Sequence, residues 1–274
     1  MYIHYMPSLM QQMKRWFAGK PGHSIVTVPA GRRIYAIGDI HGRDDLLREM
    51  HRRIAEDAGA RGWANNILIY LGDYIDRAPG SREVLALAMG DQPHGFAKVC
   101  LRGNHEAALL DFLRHPENGG AWIAMGGNAA LQSFGVSPPS EFAAPETMAR
   151  AAAQLAKALT PAEHQFLHDL KYGHREGGYF FAHAGIRPGV DLEAQEEDDL
   201  IWIRAPFLES AADHGAVVVH GHSVRREVEV RPNRIGIDTG AYYTNRLTCL
   251  VLEVNKRWLL QTGATAGNPI AVEV

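Results

Sequence analysis

Five polar clusters, each placed directly after an apolar run, carry the residue types from which a metal-dependent reaction is built. "GDIHG" holds Asp39 and His41, "GDYIDR" holds Asp73, Asp76 and Arg77, and "RGNHE" holds Asn104 and His105. "HAG" holds His183, and "HGHS" holds His220 and His222. Carboxylate, imidazole and amide donors without thiolate suit Mn²⁺, Fe or Zn²⁺ more than Ca²⁺. Asp39 and His41 stand two apart and can face the same side, and Asp73 repeats the same order of apolar run, glycine and aspartate. Each cluster alone has a plainer reading. Aspartate after a strand forms turns, Asp76 and Arg77 can pair or cap a helix, histidine often ends a strand, and Asn104 can cap the helix behind it. None of these accounts for five such clusters in succession.

The elements that must position these groups are legible in the same stretches. "RIYAI", "NNILIYL", "AKVCL", "GGYFFA" and "GAVVV" are short apolar runs bounded by glycine or polar residues, as strands are. "DDLLREMHRRIAEDAG" and "SREVLALAMG" have helical spacing and end in glycine. Strands alternating with helices predict an α/β layered domain whose strand ends converge on one rim. Residues 111–176 break the rhythm, with a Gly/Pro/Ser-rich stretch and two helices split at Thr160-Pro161, and read as a cap-like insertion. Residues 1–24 read as a leader, helical or disordered, with Leu9, Met13, Trp16 and Phe17 on one helical face, and residues 25–274 as one domain.

Composition narrows the class. Of 274 residues, 46% are hydrophobic and 22% charged, ordinary for a soluble globular chain with a sizeable core. A formal net charge of -3 argues against nucleic acid as partner. Cys100 and Cys249, both in apolar runs, read as buried free thiols in a reducing compartment, the cytoplasm. No apolar run approaches the ~20 residues of a membrane span.

The ordered set "GDIHG", "GDYIDR", "RGNHE", "HAG" and "GHS" resembles the signature blocks of the phosphoprotein phosphatase family of calcineurin-like metallophosphoesterases, from about Arg33 to Glu253. The resemblance implies two mixed β-sheets sandwiched between helices. It implies Asp39, His41 and Asp73 as ligands of one ion, and Asp73 with Asn104, His183 and His222 as ligands of a second. It implies His105 as general acid oriented by Asp76, and Arg77, Arg204 and Asn104 as phosphate contacts. Arg204 fits the family's Trp-x-Arg placement in "IWIR", with Arg187 as a rival. His220 is a strand residue or a support for His222, and Trp202 a packing residue.

This set is coherent as chemistry. Two divalent ions bring +4 against -2 from Asp39 and Asp73, so the centre attracts a phosphate dianion. Ions roughly 3.5–4 Å apart lower the pKa of bound water, giving hydroxide near neutral pH, and clamp phosphoryl oxygens during in-line attack. The expected cofactors are therefore two divalent ions, manganese first and iron or zinc as alternatives. "AWIAMGGNAALQSFG" resembles a segment of bacterial and phage-type serine/threonine phosphatases, and the eukaryotic "SAPNYC"-like block is replaced by "IDTGAYYTNRLTCLVLE", which places the chain with the bacterial branch. The expected substrate is a phosphorylated protein or a small phosphorylated compound. A symmetrical diadenosine tetraphosphate hydrolase shares the blocks and would need stacking groups, for which the insertion offers Trp122 and Phe134. A non-catalytic binding module is the third reading. It fits poorly, because such relatives lose a ligand or the acid and this chain keeps all of them.

Overall fold

In β1 (Arg32–Ile37), Ile34 and Ala36 enter one apolar layer while Tyr35 and Ile37 enter another. Successive strand side chains point to opposite faces, so a strand apolar on both faces must lie between two covered layers. The computed structural model describes residues 26–91 and 93–263, together with the backbone of residues 270–271. The leader expected over residues 1–24 lies outside these.

One sheet has the order β11-β10-β9-β1-β2-β3, with β2 (Asn65–Tyr70), β3 (Ala97–Cys100), β9 (Thr248–Glu253), β10 (Lys256–Gln261) and β11 (Ile270–Ala271). Strands β1, β2 and β3 are parallel, and β9 runs antiparallel to β1 with Tyr35 opposite Val251. The second sheet has the order β4-β5-β6-β8-β7, with β4 (Gly173–Glu176), β5 (Tyr179–Ala182), β6 (Val217–His220), β7 (Glu229–Arg231) and β8 (Arg234–Gly236). Here β5, β6 and β8 are parallel. Ile34, Ile69, Phe181, Val219 and Ile235 meet between the sheets. Burying side chains of this size contributes about 1.5–3 kcal/mol each. Two mixed sheets flanked by helices are the expected architecture.

On the outer face of the first sheet pack α1 (Asp44–Arg61), α2 (Ser81–Met89) and α3 (Asn104–Arg114). The same layer is extended by α4 (Gly119–Trp122), a π-type turn Ile123–Gly127, α5 (Asn128–Ser133), α6 (Pro145–Ala158) and α7 (Pro161–Asp169). The split at Thr160-Pro161 is where the sequence places it. Thr160 Oγ1 accepts from Glu163 N at 3.2 Å, and Glu163 returns the bond to Thr160 N at 2.7 Å, a capping box. The short α8 (Glu197–Trp202) and α9 (Ala205–Leu208) cover the second sheet through Leu200 and Phe207. Cys100 is half-buried and Cys249 buried, both as free thiols on strands. No helix among the described residues is long and apolar enough to cross a membrane.

Candidate metal centre

The C-terminal ends of β1, β2, β3, β5 and β6 deliver the five clusters to one rim. The β1 and β2 loops are laced by backbone bonds from Ile40 N and His41 N to Asp73 O, at 3.0 and 2.8 Å. His222 N donates to Asp39 Oδ2 at 3.0 Å and ties the two sheets together. The turns are tight enough to strain the chain. His41, Asp73, Asp76, Arg77 and His222 all have φ between 49° and 73°. A non-glycine residue there costs roughly 1–2 kcal/mol, and such strain collects where a site fixes side-chain directions. Gly103 is required by close approach, since a Cβ there would strike Asp73 N and Oδ1.

Asp73 is the pivot. Its Oδ2 lies 3.4 Å from His41 Nε2 and its Oδ1 lies 3.4 Å from His183 Nε2, so one carboxylate faces a histidine on each side. His41 Nδ1 donates to Ile75 O at 2.9 Å and His183 Nδ1 to Leu71 O at 3.0 Å, which aims both Nε2 atoms inward. Asn104 Oδ1 lies 2.9 Å from both His183 Nε2 and His222 Nδ1. Burial holds His41, His183 and His222 well below the ordinary imidazole value, His183 at about 3 and His222 at about 2. Neutral imidazoles are the form that ligates a metal. Asp39 Oδ1 and His222 Nε2 are buried with no hydrogen-bond partner. Converging donors, neutral imidazoles and orphaned polar atoms fit divalent cations.

Two groups of acidic and imidazole atoms close enough to share an ion emerge among the described residues: His41–Asp73–His105 and Asp73–His183–His222. The second, with Asn104, is the set expected for one ion. The first contains His105 where Asp39 was expected. Asp39 Oδ2 is engaged by His222 N with its Oδ1 left free, and His105 Nδ1 is held by Asp76 Oδ2 at 2.6 Å. His105 Nε2 faces Arg77 at 3.2 Å. Burial lowers the His105 imidazole, Asp73 pulls it up and Arg77 pushes it down.

Around this core the structure distinguishes residues the sequence left open. Arg204 is exposed, and its charge is felt by Asp73, His183 and His222. Its rival Arg187 is committed to Asp199, with Nε 2.6 Å from Oδ2. His220 is a buried strand residue against the Phe207 ring, centroids 5.1 Å apart. Trp202 is not a packing residue. It is 43% exposed, edge-on to His222 at 6.3 Å, because α8 ends on the rim rather than in the core. Trp122 and Phe134 are buried and offer no stacking face. Trp122 Nε1 donates to Asp76 Oδ2 at 2.9 Å instead.

Two contributions escaped the sequence reading. Glu106, fully buried, accepts from the backbone of Asp73, Tyr74, Ile75 and Gly103 at 2.9–3.3 Å and clamps the β2 loop to the start of α3. Its signal was its place in the helical first turn, where a carboxylate reaches back to free N–H groups. Tyr242 in α10 (Ala241–Thr244) packs edge-on to His41 at 5.6 Å, with the Arg77 guanidinium over its ring at 4.8 Å.

A family profile described as calcineurin-like phosphoesterase matches residues 32–255. The chain belongs to that family. This phosphoesterase is therefore a metal-dependent hydrolase of phosphoric esters. It is 28% identical over 228 residues to serine/threonine-protein phosphatase 2 of Escherichia coli K12, covering 79% of this chain and 91% of that one. It is also 28% identical over 225 residues to serine/threonine-protein phosphatase 1 of Salmonella typhimurium, covering 79% and 90%. A solved diadenosine tetraphosphatase structure superposes with a TM-score of 0.55 at 21% identity, covering 90% of this chain and 97% of the other. A cold-active protein tyrosine phosphatase gives a TM-score of 0.53 at 15% identity, covering 85% and 79%. At these identities the two structures share the fold.

Proposed function

We propose that the phosphoesterase removes phosphate monoesters from serine and threonine side chains of proteins, using two divalent ions in the cytoplasm. The two-ion reading is carried by Asp73, whose carboxylate oxygens face His41 and His183 at 3.4 Å each. Asp39, His41 and Asp73 would hold one ion, and Asp73, Asn104, His183 and His222 the other. The mixed oxygen and nitrogen donors favour Mn²⁺, with iron or zinc as alternatives. When bound, such ions supply Lewis-acid polarisation of the phosphoryl group and an activated water.

The chain's own residues do the rest. Arg77 and Arg204 grip phosphate oxygens with guanidinium forks. Asn104 turns its oxygen to the histidines, which leaves its amide nitrogen to donate to phosphate. His105 delivers a proton from Nε2 to the leaving oxygen. Asp76 orients it from Nδ1, and Trp122 holds Asp76. The insertion, residues 111–176, thus serves as a support for the acid as well as a wall of the rim.

The bacterial relatives named as serine/threonine phosphatases support the protein substrate. One observation favours a second reading, a diadenosine tetraphosphate hydrolase: Trp202 and Tyr242 present aromatic surface at the rim, on opposite ligands, where bases could stack. The deciding experiment compares kcat/KM of the manganese-loaded protein for a phosphoserine peptide and for diadenosine tetraphosphate. A preference for the peptide is expected. A hundredfold preference for the dinucleotide would overturn the assignment.

A further inference from the structure

The rim receives a sixth strand end. β8 runs parallel to β6, so its C-terminal end opens on the same side as those of β5 and β6. Two residues beyond it stands Asp238, in "GIDTG", another aspartate just past a strand end, with Ile237 between it and the glycine that directly precedes Asp39 and Asp73 in their clusters. Asp238 is 3% exposed. Its Oδ1 accepts from Gly240 N at 2.9 Å, and its Oδ2 is buried with no partner. Asp39 is its counterpart. It is also 3% exposed, with Oδ2 accepting from His222 N and Oδ1 without a partner.

The two carboxyl groups act on one another, and both lie in the field of Asp73. Two buried acceptors cannot satisfy one another without a proton or a cation between or beside them. Arg77 is a positive side chain bearing on Asp238. Asp238 therefore has a buried oxygen that neighbouring protein groups leave free.

We propose that Asp238 is a third carboxylate of the metal centre, serving the ion held on the Asp39 side. It adds negative charge next to that ion, which raises its affinity. The inference rests on the two-ion reading and changes its charge balance: three carboxylates, Asp39, Asp73 and Asp238, stand against two dications.

Calorimetric titration of Mn²⁺ into metal-free protein tests this, with thermal melting of the metal-free form alongside. Asp238→Asn keeps an acceptor for Gly240 N and nearly the same volume while removing the charge. One of the two ions is expected to bind 10–100-fold more weakly, as for loss of other groups that support metal ligands. The metal-free variant should melt no lower than the parent, because a carboxylate–carboxylate repulsion is removed. Asp238→Ala should show the same metal deficit with a lower melting temperature, since it also drops the Gly240 bond. Unchanged affinity in Asp238→Asn, with a deficit in Asp238→Ala alone, would assign Asp238 to capping the turn and overturn the proposal. A parent protein that binds a single ion would sink the two-ion reading, and Asp238 would then be judged by the same shift on that ion.

Discussion

Replacing Trp122 with phenylalanine removes one N–H from the chain Trp122–Asp76–His105 and leaves the other members in place. Asp76 Oδ2 accepts from both Trp122 Nε1, at 2.9 Å, and His105 Nδ1, at 2.6 Å. Its Oδ1 has no donor and the residue is fully buried. Burial pushes the Asp76 carboxyl well up, and the Trp122 bond pulls it down. A hydrogen bond to a charged group contributes about 1.5–3 kcal/mol. Without it the carboxylate form is disfavoured by that amount, and the proton shared with His105 moves toward Asp76. At about 1.4 kcal/mol per decade, the acid form of His105 becomes roughly 10–100-fold less available. Turnover of a phosphoserine peptide, whose alkoxide leaving group needs the proton, should fall by that factor. Turnover of p-nitrophenyl phosphate, whose phenolate departs unaided, should change little. The smaller ring also leaves a void beside Phe112, whose ring lies 5.0 Å from the indole, so a stability loss of about 1–3 kcal/mol is expected. Steady-state kinetics well below the melting temperature, with metal content measured on the same samples, separate the two effects. Equal slowing of both substrates would show that Trp122 only packs, and the hydrogen-bonded chain would lose its catalytic meaning.

Two further predictions follow from neighbouring residues. His105→Asn should keep the parent's metal stoichiometry by elemental analysis while cutting turnover of alkyl phosphates by about 10²–10⁴, and unchanged turnover would refute the acid role. His51, buried against Tyr70 with Nε2 2.7 Å from the hydroxyl, is lowered by burial to about 4. Between the unfolded value near 6.5 and that value the unfolded chain binds a proton that the folded chain does not. Stability should therefore be intact above pH 6.5 and fall by roughly 3 kcal/mol as the pH drops toward 4. Urea unfolding should show that slope flattened in His51→Gln.

Much of the candidate centre is legible in local sequence. The five clusters follow strands, and a strand end is a place where a short loop can aim a polar side chain without disturbing the layers beneath. Two helix boundaries were legible for the same local reason, Gly90 following α2 and the Thr160 capping box preceding α7, whereas α1 runs through Gly59, where the sequence reading ended it, to Arg61. What failed were readings of residues whose role depends on a distant partner. Trp122 and Phe134 look like stacking groups in a polar insertion, yet the insertion folds into the helical layer and buries them. Trp202 looks like core, yet α8 ends at the rim and leaves it exposed.

The donor types, their order and the strands that carry them can be read from period, glycine placement and side-chain chemistry, because these are local properties. Which strand ends share a rim depends on how the two sheets and the helical layer pack. The parallel pairing of β8 with β6 brings Asp238 to Asp39, and the fold of the insertion brings Trp122 to Asp76. The packing also decides that Arg187 is spent on Asp199 while Arg204 remains free to act on the site. These are contacts between segments 46 to 199 residues apart or, for the arginines, a choice of partner. Neither is encoded in local spacing, and both follow from how the layers pack.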